Sequence, residues 1–100
     1  MANLASLAVG ATKAQNTKWF ASDIAYSGDP HCVLNFTVDQ DALVQITYDG
    51  GSHWADIEYS NVVAAGKNKV FYFTMANGEL VNFRHTTAVT LTFTKCSVDQ

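Results

Sequence analysis

From residue 32 onward the chain alternates between apolar and polar side chains. In "CVLNFTVD" (32–39), Leu34, Phe36 and Val38 share one phase while Asn35 and Thr37 take the other. In "DALVQITYD" (41–49), Ala42, Val44, Ile46 and Tyr48 alternate with Gln45 and Thr47. In "AVTLTFTK" (88–95), Val89, Leu91 and Phe93 alternate with three threonines. A period of two puts these sets on opposite faces of an extended strand, whereas a helix would spread them around its axis. Threonine on the outward phase agrees, because β-branched side chains suit a pleated surface. Helical periodicity is absent after residue 16, so the pattern demands a sheet structure with one buried face per strand.

Further strands are expected at "KVFYFTM" (69–75), "ELVNFRH" (79–85), "TKWFASDIAY" (17–26) and the short "WADIEY" (54–59). Turn-forming clusters separate them: "SGDP" (27–30), "DQD" (39–41), "DGGS" (49–52), "AAGKN" (64–68) and "ANG" (76–78). Asn77–Gly78 lies between two alternating runs, which is a hairpin signal. About seven short strands at this spacing predict an all-β fold, a single antiparallel β-sandwich, immunoglobulin/fibronectin-like or jelly-roll-like. The domain is expected over 17–100. Residues 1–16 are Ala-rich with few large side chains, and fit either an edge strand or an extended arm that orders against a neighbour.

A chain of 100 residues is one domain by size. It should bury roughly 65% of its unfolded surface, enough for a core without a metal or disulfide. With 48% hydrophobic and 15% charged residues it is not a disordered composition. The net charge is −3, and the six basic residues (Lys13, Lys18, Lys67, Lys69, Arg84, Lys95) are dispersed. That argues against a nucleic-acid partner. No run approaches the ~20 apolar residues of a membrane helix, so no membrane partner is expected. The start "MANLASLAVGATKAQ" lacks a basic n-region and a long apolar run, and is not read as a signal peptide. The expectation is synthesis in the cytoplasm of the producing cell, with Cys32 and Cys96 as free thiols.

The stretch "TYDGGSHW" (47–54) has the spacing Thr-x-Asp-x-Gly-x-His-Trp. Asp49 can accept backbone hydrogen bonds inside a turn, Gly50 and Gly51 can supply unusual backbone angles, and Trp54 can fold back over the hairpin. The pattern resembles the Asp-box hairpin of sialidases and other β-proteins, with His53 where threonine is usual. In that family the motif is structural and lies away from the active site. Sialidases also hold a carboxylate with three arginines, whereas this chain has only Arg84. Asp49, Gly50, Gly51 and Trp54 are therefore expected to form a structural hairpin tip, with no catalytic role.

Other constellations read blandly. His31, Cys32, His85 and Cys96 lack paired metal-ligand spacing. Strand parity puts Cys32 on an inward phase and Cys96 on an outward one, which predicts no disulfide between them. No Cys–His pair has a third residue to orient it. Asp39 and Asp41 flank a turn and suit capping better than acid–base work. Trp19, Phe20, Trp54, Tyr59 and Tyr72 could form a carbohydrate platform, but a small β-domain needs its aromatics as core. No catalytic residue, metal or cofactor is expected.

Three segments, "VQITYDGGSHW" (44–54), "GELVNFR" (78–84) and "VTLTFTK" (89–95), carry a wider resemblance. Over roughly residues 42–95 the layout is similar to small β-sandwich virion proteins of tailed bacteriophages. That resemblance implies a non-catalytic structural protein located in the virion, foremost a capsid decoration protein. Its implied partners are the major capsid or neck/tail proteins and further copies of itself. A neck or tail component, or a glycan-binding adhesion module, is the alternative.

Overall fold

The computed structural model describes residues 2–58 and 65–100. Among them are nine strands and no helix: β1 Asn3–Leu7, β2 Thr12–Lys13, β3 Ile24–Ala25, β4 His31–Val38, β5 Val44–Thr47, β6 Ala55–Asp56, β7 Lys69–Thr74, β8 Leu80–His85 and β9 Leu91–Asp99. One sheet has the order β1-β9-β4-β7, with β2 also on β9, and the other is β3-β8-β5-β6. All of these strand pairs are antiparallel. The chain is thus an all-β sandwich of two antiparallel sheets.

The pairings nest. β5 pairs β6, β4 pairs β7, β3 pairs β8, and β1 and β2 pair β9. The chain is in effect one long hairpin rolled up, with alternate nested pairs going to alternate sheets. Contacts β4·β9 and β5·β8 then close each sheet. Consecutive strands β3/β4, β4/β5, β7/β8 and β8/β9 lie in different sheets. An immunoglobulin sandwich keeps several such neighbours together, so of the two expected architectures this is the jelly-roll arrangement.

The inward phases of β4, β5, β8 and β9 meet between the sheets. Leu34, Phe36, Val44, Val81, Phe83, Leu91, Phe93 and Val98 are essentially without solvent contact. Trp19 lies among them at 0% exposure, edge-on to Phe36 at 5.3 Å and to Phe93 at 4.9 Å between ring centroids.

Three expectations need correcting. The stretch 17–26 is not one strand: only Ile24–Ala25 pairs, and the preceding residues form a loop. Adjacent Trp19 and Phe20 are both buried, which alternation forbids and a loop permits. Trp19 N–H donates to Phe83 O, and Phe20 exchanges hydrogen bonds with the Asn82 side chain. Secondly, "ANG" is not a hairpin. β7 and β8 belong to different sheets, so Asn77–Gly78 turns a corner between them, clasped by Glu79 on Ala76 N–H.

Thirdly, Cys96 faces inward. Thr37 pairs Lys95 but Val38 pairs Phe93, leaving Thr94 as the extra residue of a β-bulge. The bulge inverts the phase of β9, so Cys96 and Val98 join the core. Of the two readings open for the first residues, the structure shows the edge strand, in interrupted form. β1 pairs β9 at its C-terminal half and β2 at its start, with Leu4, Ala5 and Leu7 packed on the core. In "WADIEY" the strand is Ala55–Asp56, and Tyr59 and Ala64 lie outside the described residues.

Candidate functional site: the 47–54 hairpin

β5 and β6 pair Gln45 with Asp56 and Ile46 with Ala55, so residues 47–54 form the loop between them. Its centre is the Thr47 hydroxyl, on a residue only 1% exposed. That oxygen donates to Asp49 Oδ1 at 2.8 Å and accepts from the N–H of Gly51 at 2.9 Å. Asp49 Oδ1 also accepts from His53 N–H at 2.9 Å, and Asp49 Oδ2 lies 2.5 Å from His53 Nδ1. Gly50 and Gly51 have φ of 74° and 107°, a region that favours glycine. A Cβ on Gly51 would meet Lys18 Cε at 3.3 Å and the Trp54 ring at 3.5 Å. The Trp54 indole N–H donates to Gly51 O at 3.0 Å, folding its ring over the turn.

The contacts with His53 and Thr47 hold the Asp49 carboxyl well below the ordinary carboxylate range, the His53 side chain contributing most. Both oxygens are therefore committed to the turn. The His53 ring stands in solvent. The geometry is a clasp. It is tied to the neighbouring strand by Gly50 N–H to Leu80 O and Leu80 N–H to Tyr48 O.

Trp54 is half-buried, and the Arg84 guanidinium lies 4.3 Å from its ring centroid. Arg84 Nε donates to Gln45 Oε1, and Gln45 Nε2 donates to Asp56 Oδ1. This row crosses β8, β5 and β6 on the outer face. A shallow depression of about 180 Å³ adjoins it, lined by Ile46, Tyr48, Asp49, His53, Trp54 and Ala55.

Of the aromatics weighed as a platform, the four among the described residues do not converge. Trp19 and Phe20 are core, Trp54 is capped by Arg84, and Tyr72 is 78% exposed on the other sheet. His85 is buried, with its Nε2–H donating to Val89 O and its Nδ1 accepting from the Trp19 indole N–H. It is a core histidine, and His31 stands exposed at the start of β4. Asp39 caps Thr92 N–H and Asp41 caps Ala65 N–H. Cys96 faces Phe36, four residues along β4 from Cys32. At about 3.3 Å per residue that is some 13 Å, beyond disulfide reach. Both thiols are free, and burial pushes Cys96 up to about 12.

Sequence reasoning missed the Asn82 network. Asn82 lies on the outward phase of β8 yet is 0% exposed, because the 17–23 loop covers it. Its amide bonds Phe20 N–H, Phe20 O and Asp23 Oδ1, and Asp23 bonds Lys18. The hydrogen bond from Asn82, with Lys18 beside it, lowers the Asp23 carboxyl. The available signal was Trp19–Phe20: two adjacent aromatics leave a strand and need an anchored loop.

The fold and hairpin define a jelly-roll-type β-sandwich whose β5–β6 turn is clasped by Thr47 and Asp49. No family model, curated protein or solved structure matches the chain.

Proposed function

We propose that this chain is a non-catalytic structural protein of a bacteriophage virion, foremost a decoration protein that packs on the capsid surface. The observation that carries the reading is the outer face of the β1-β9-β4-β7 sheet. Its outward residues are mainly neutral (Ser6, Val33, Asn35, Thr37, Val70, Tyr72, Thr74 and Ser97), with Lys95 and Asp99 the charged ones beside Thr37 and Val33. Covering such a face costs little charge desolvation. At its centre Asn35 Oδ1 is buried with no donor among the described residues. The jelly roll also hosts viral capsid domains, though it hosts lectins as well.

The glycan-binding reading draws less support, since Trp19 is spent in the core and Trp54 on the hairpin and Arg84. Mass spectrometry of gradient-purified virions from the encoding phage tests the proposal. The expected result is a fixed ratio of this chain to the major capsid protein. A ratio of only a few copies per particle would move it to the neck or tail. Its absence from washed particles would sink the structural reading, and micromolar glycan binding lost on Trp54→Ala would replace it with adhesion.

A further inference from the structure

The four sheet edges are not alike. β3 and β6 have two residues each, and the N-terminal edge is broken between Leu7 and Thr12, where Gly10 has φ 87°. Short strands and breaks are the usual protections of a sheet edge. β7 has neither. It runs six residues without proline or bulge, and among the described residues it pairs only β4.

The ladder tells which of its backbone groups are open. Met75 N–H donates to Pro30 O, in register with Cys32↔Phe73 and Leu34↔Phe71. Antiparallel ladders alternate, so residues 71, 73 and 75 bond β4, while Val70, Tyr72 and Thr74 turn N–H and C=O away from it. These three also carry the outward side chains, and Val70 and Tyr72 are 40% and 78% exposed. Residues 70–78 carry no charge, and Lys69 is already paired with Glu58.

We infer that two copies of the chain pair antiparallel through β7, about a two-fold axis at Tyr72. The open set of three is its own complement under that axis. Val70 meets the partner copy's Thr74, and Tyr72 meets its counterpart. Three hydrogen-bonded pairs close six backbone hydrogen bonds, and the two tyrosines lie side by side on the outer face. The four-stranded path of each copy becomes one eight-stranded sheet. A second copy suits this edge because an isologous contact needs the same patch on both partners. The inference is independent of where the protein works.

Sedimentation velocity across the micromolar range, with hydrogen exchange of the Val70, Tyr72 and Thr74 amides, tests it. The wild-type chain is expected at twice its monomer mass, with those amides protected and losing protection on dilution. Tyr72→Pro removes only an outward N–H and leaves the β4 ladder intact. Tyr72→Lys sets two like charges on the axis and serves if the proline variant fails to fold. Both folded variants should be monomers. A monomeric wild type, a dimer that survives Tyr72→Lys, or a dimer whose three amides exchange freely would each overturn the inference.

Discussion

At the tip of the central hairpin, the Thr47 hydroxyl both donates to Asp49 and accepts from Gly51 N–H while nearly sealed from water. Thr47→Val keeps the shape and strands that N–H, so chemical denaturation should show a loss of about 1–3 kcal/mol. Gly51→Val forces a β-branched residue to a φ of 107° against Lys18 and Trp54, and should cost about 1 kcal/mol or more. Asp49 sets a pH signature. Its folded-state carboxyl lies below the unfolded value, so its stabilisation is present above the unfolded value, about pH 4, and fades as pH falls further. Asp23 acts in the same sense, so the difference between wild type and Asp49→Asn isolates the hairpin. That difference should shrink on acidification below about pH 4; a constant difference would show that the carboxylate charge is not what matters. These groups were legible because their partners lie within four residues of one another. The Trp19–His85 hydrogen bond spans 66 residues and left no local trace.

Among the elements, β4 follows its alternation closely, and β8 does so except at Asn82, which is outward in phase but buried under the 17–23 loop. β9 does not, and the reason is one residue. Thr94 bulges, the phase inverts, and a cysteine assigned to the surface enters the core. Nothing in "TFTKCS" (92–97) marks the bulge, because Thr, Lys and Ser suit either face. The same inversion changes the reason for separate thiols from opposite faces to distance along the ladder. Both cysteines should react with a bulky disulfide reagent only on unfolding, because both are buried. Fast labelling of Cys96 in the native state would contradict the bulge. The N-terminal strand was ambiguous for a related reason: small residues mark no face, and its partner lies at the opposite end of the chain. It pairs β9 along its length and places Leu4 and Leu7 against the core. Deleting residues 2–12 should therefore lower the melting temperature markedly; an unchanged value would return the segment to the role of a detached arm.

The whole molecule is a nest of hairpins, and the nesting orders the cost of closing it. The innermost pair, β5 with β6, needs only the 47–54 loop, while the outermost joins Asn3 to Asp99, 96 residues apart. Loop-closure entropy grows with the separation of the ends, so pairing β1 with β9 from an open chain is the costliest step. Once the inner pairs have formed, each next pair closes a much shorter loop. Growth outward from the tip is then the cheapest route, and the Asp49 clasp stands where it begins. The expected transition state contains the 47–54 turn with β5 and β6 and the next pair out, β4 with β7, and leaves the N-terminal edge unformed. In stopped-flow chevrons Thr47→Val should slow folding and leave unfolding nearly unchanged, whereas Leu4→Ala should accelerate unfolding alone. Folding itself should be slow, in milliseconds to seconds, as for other folds dominated by distant pairings. The opposite pattern, with Leu4→Ala slowing folding and Thr47→Val speeding unfolding, would mean that the sheet edges meet first and that the clasp only locks a fold already made.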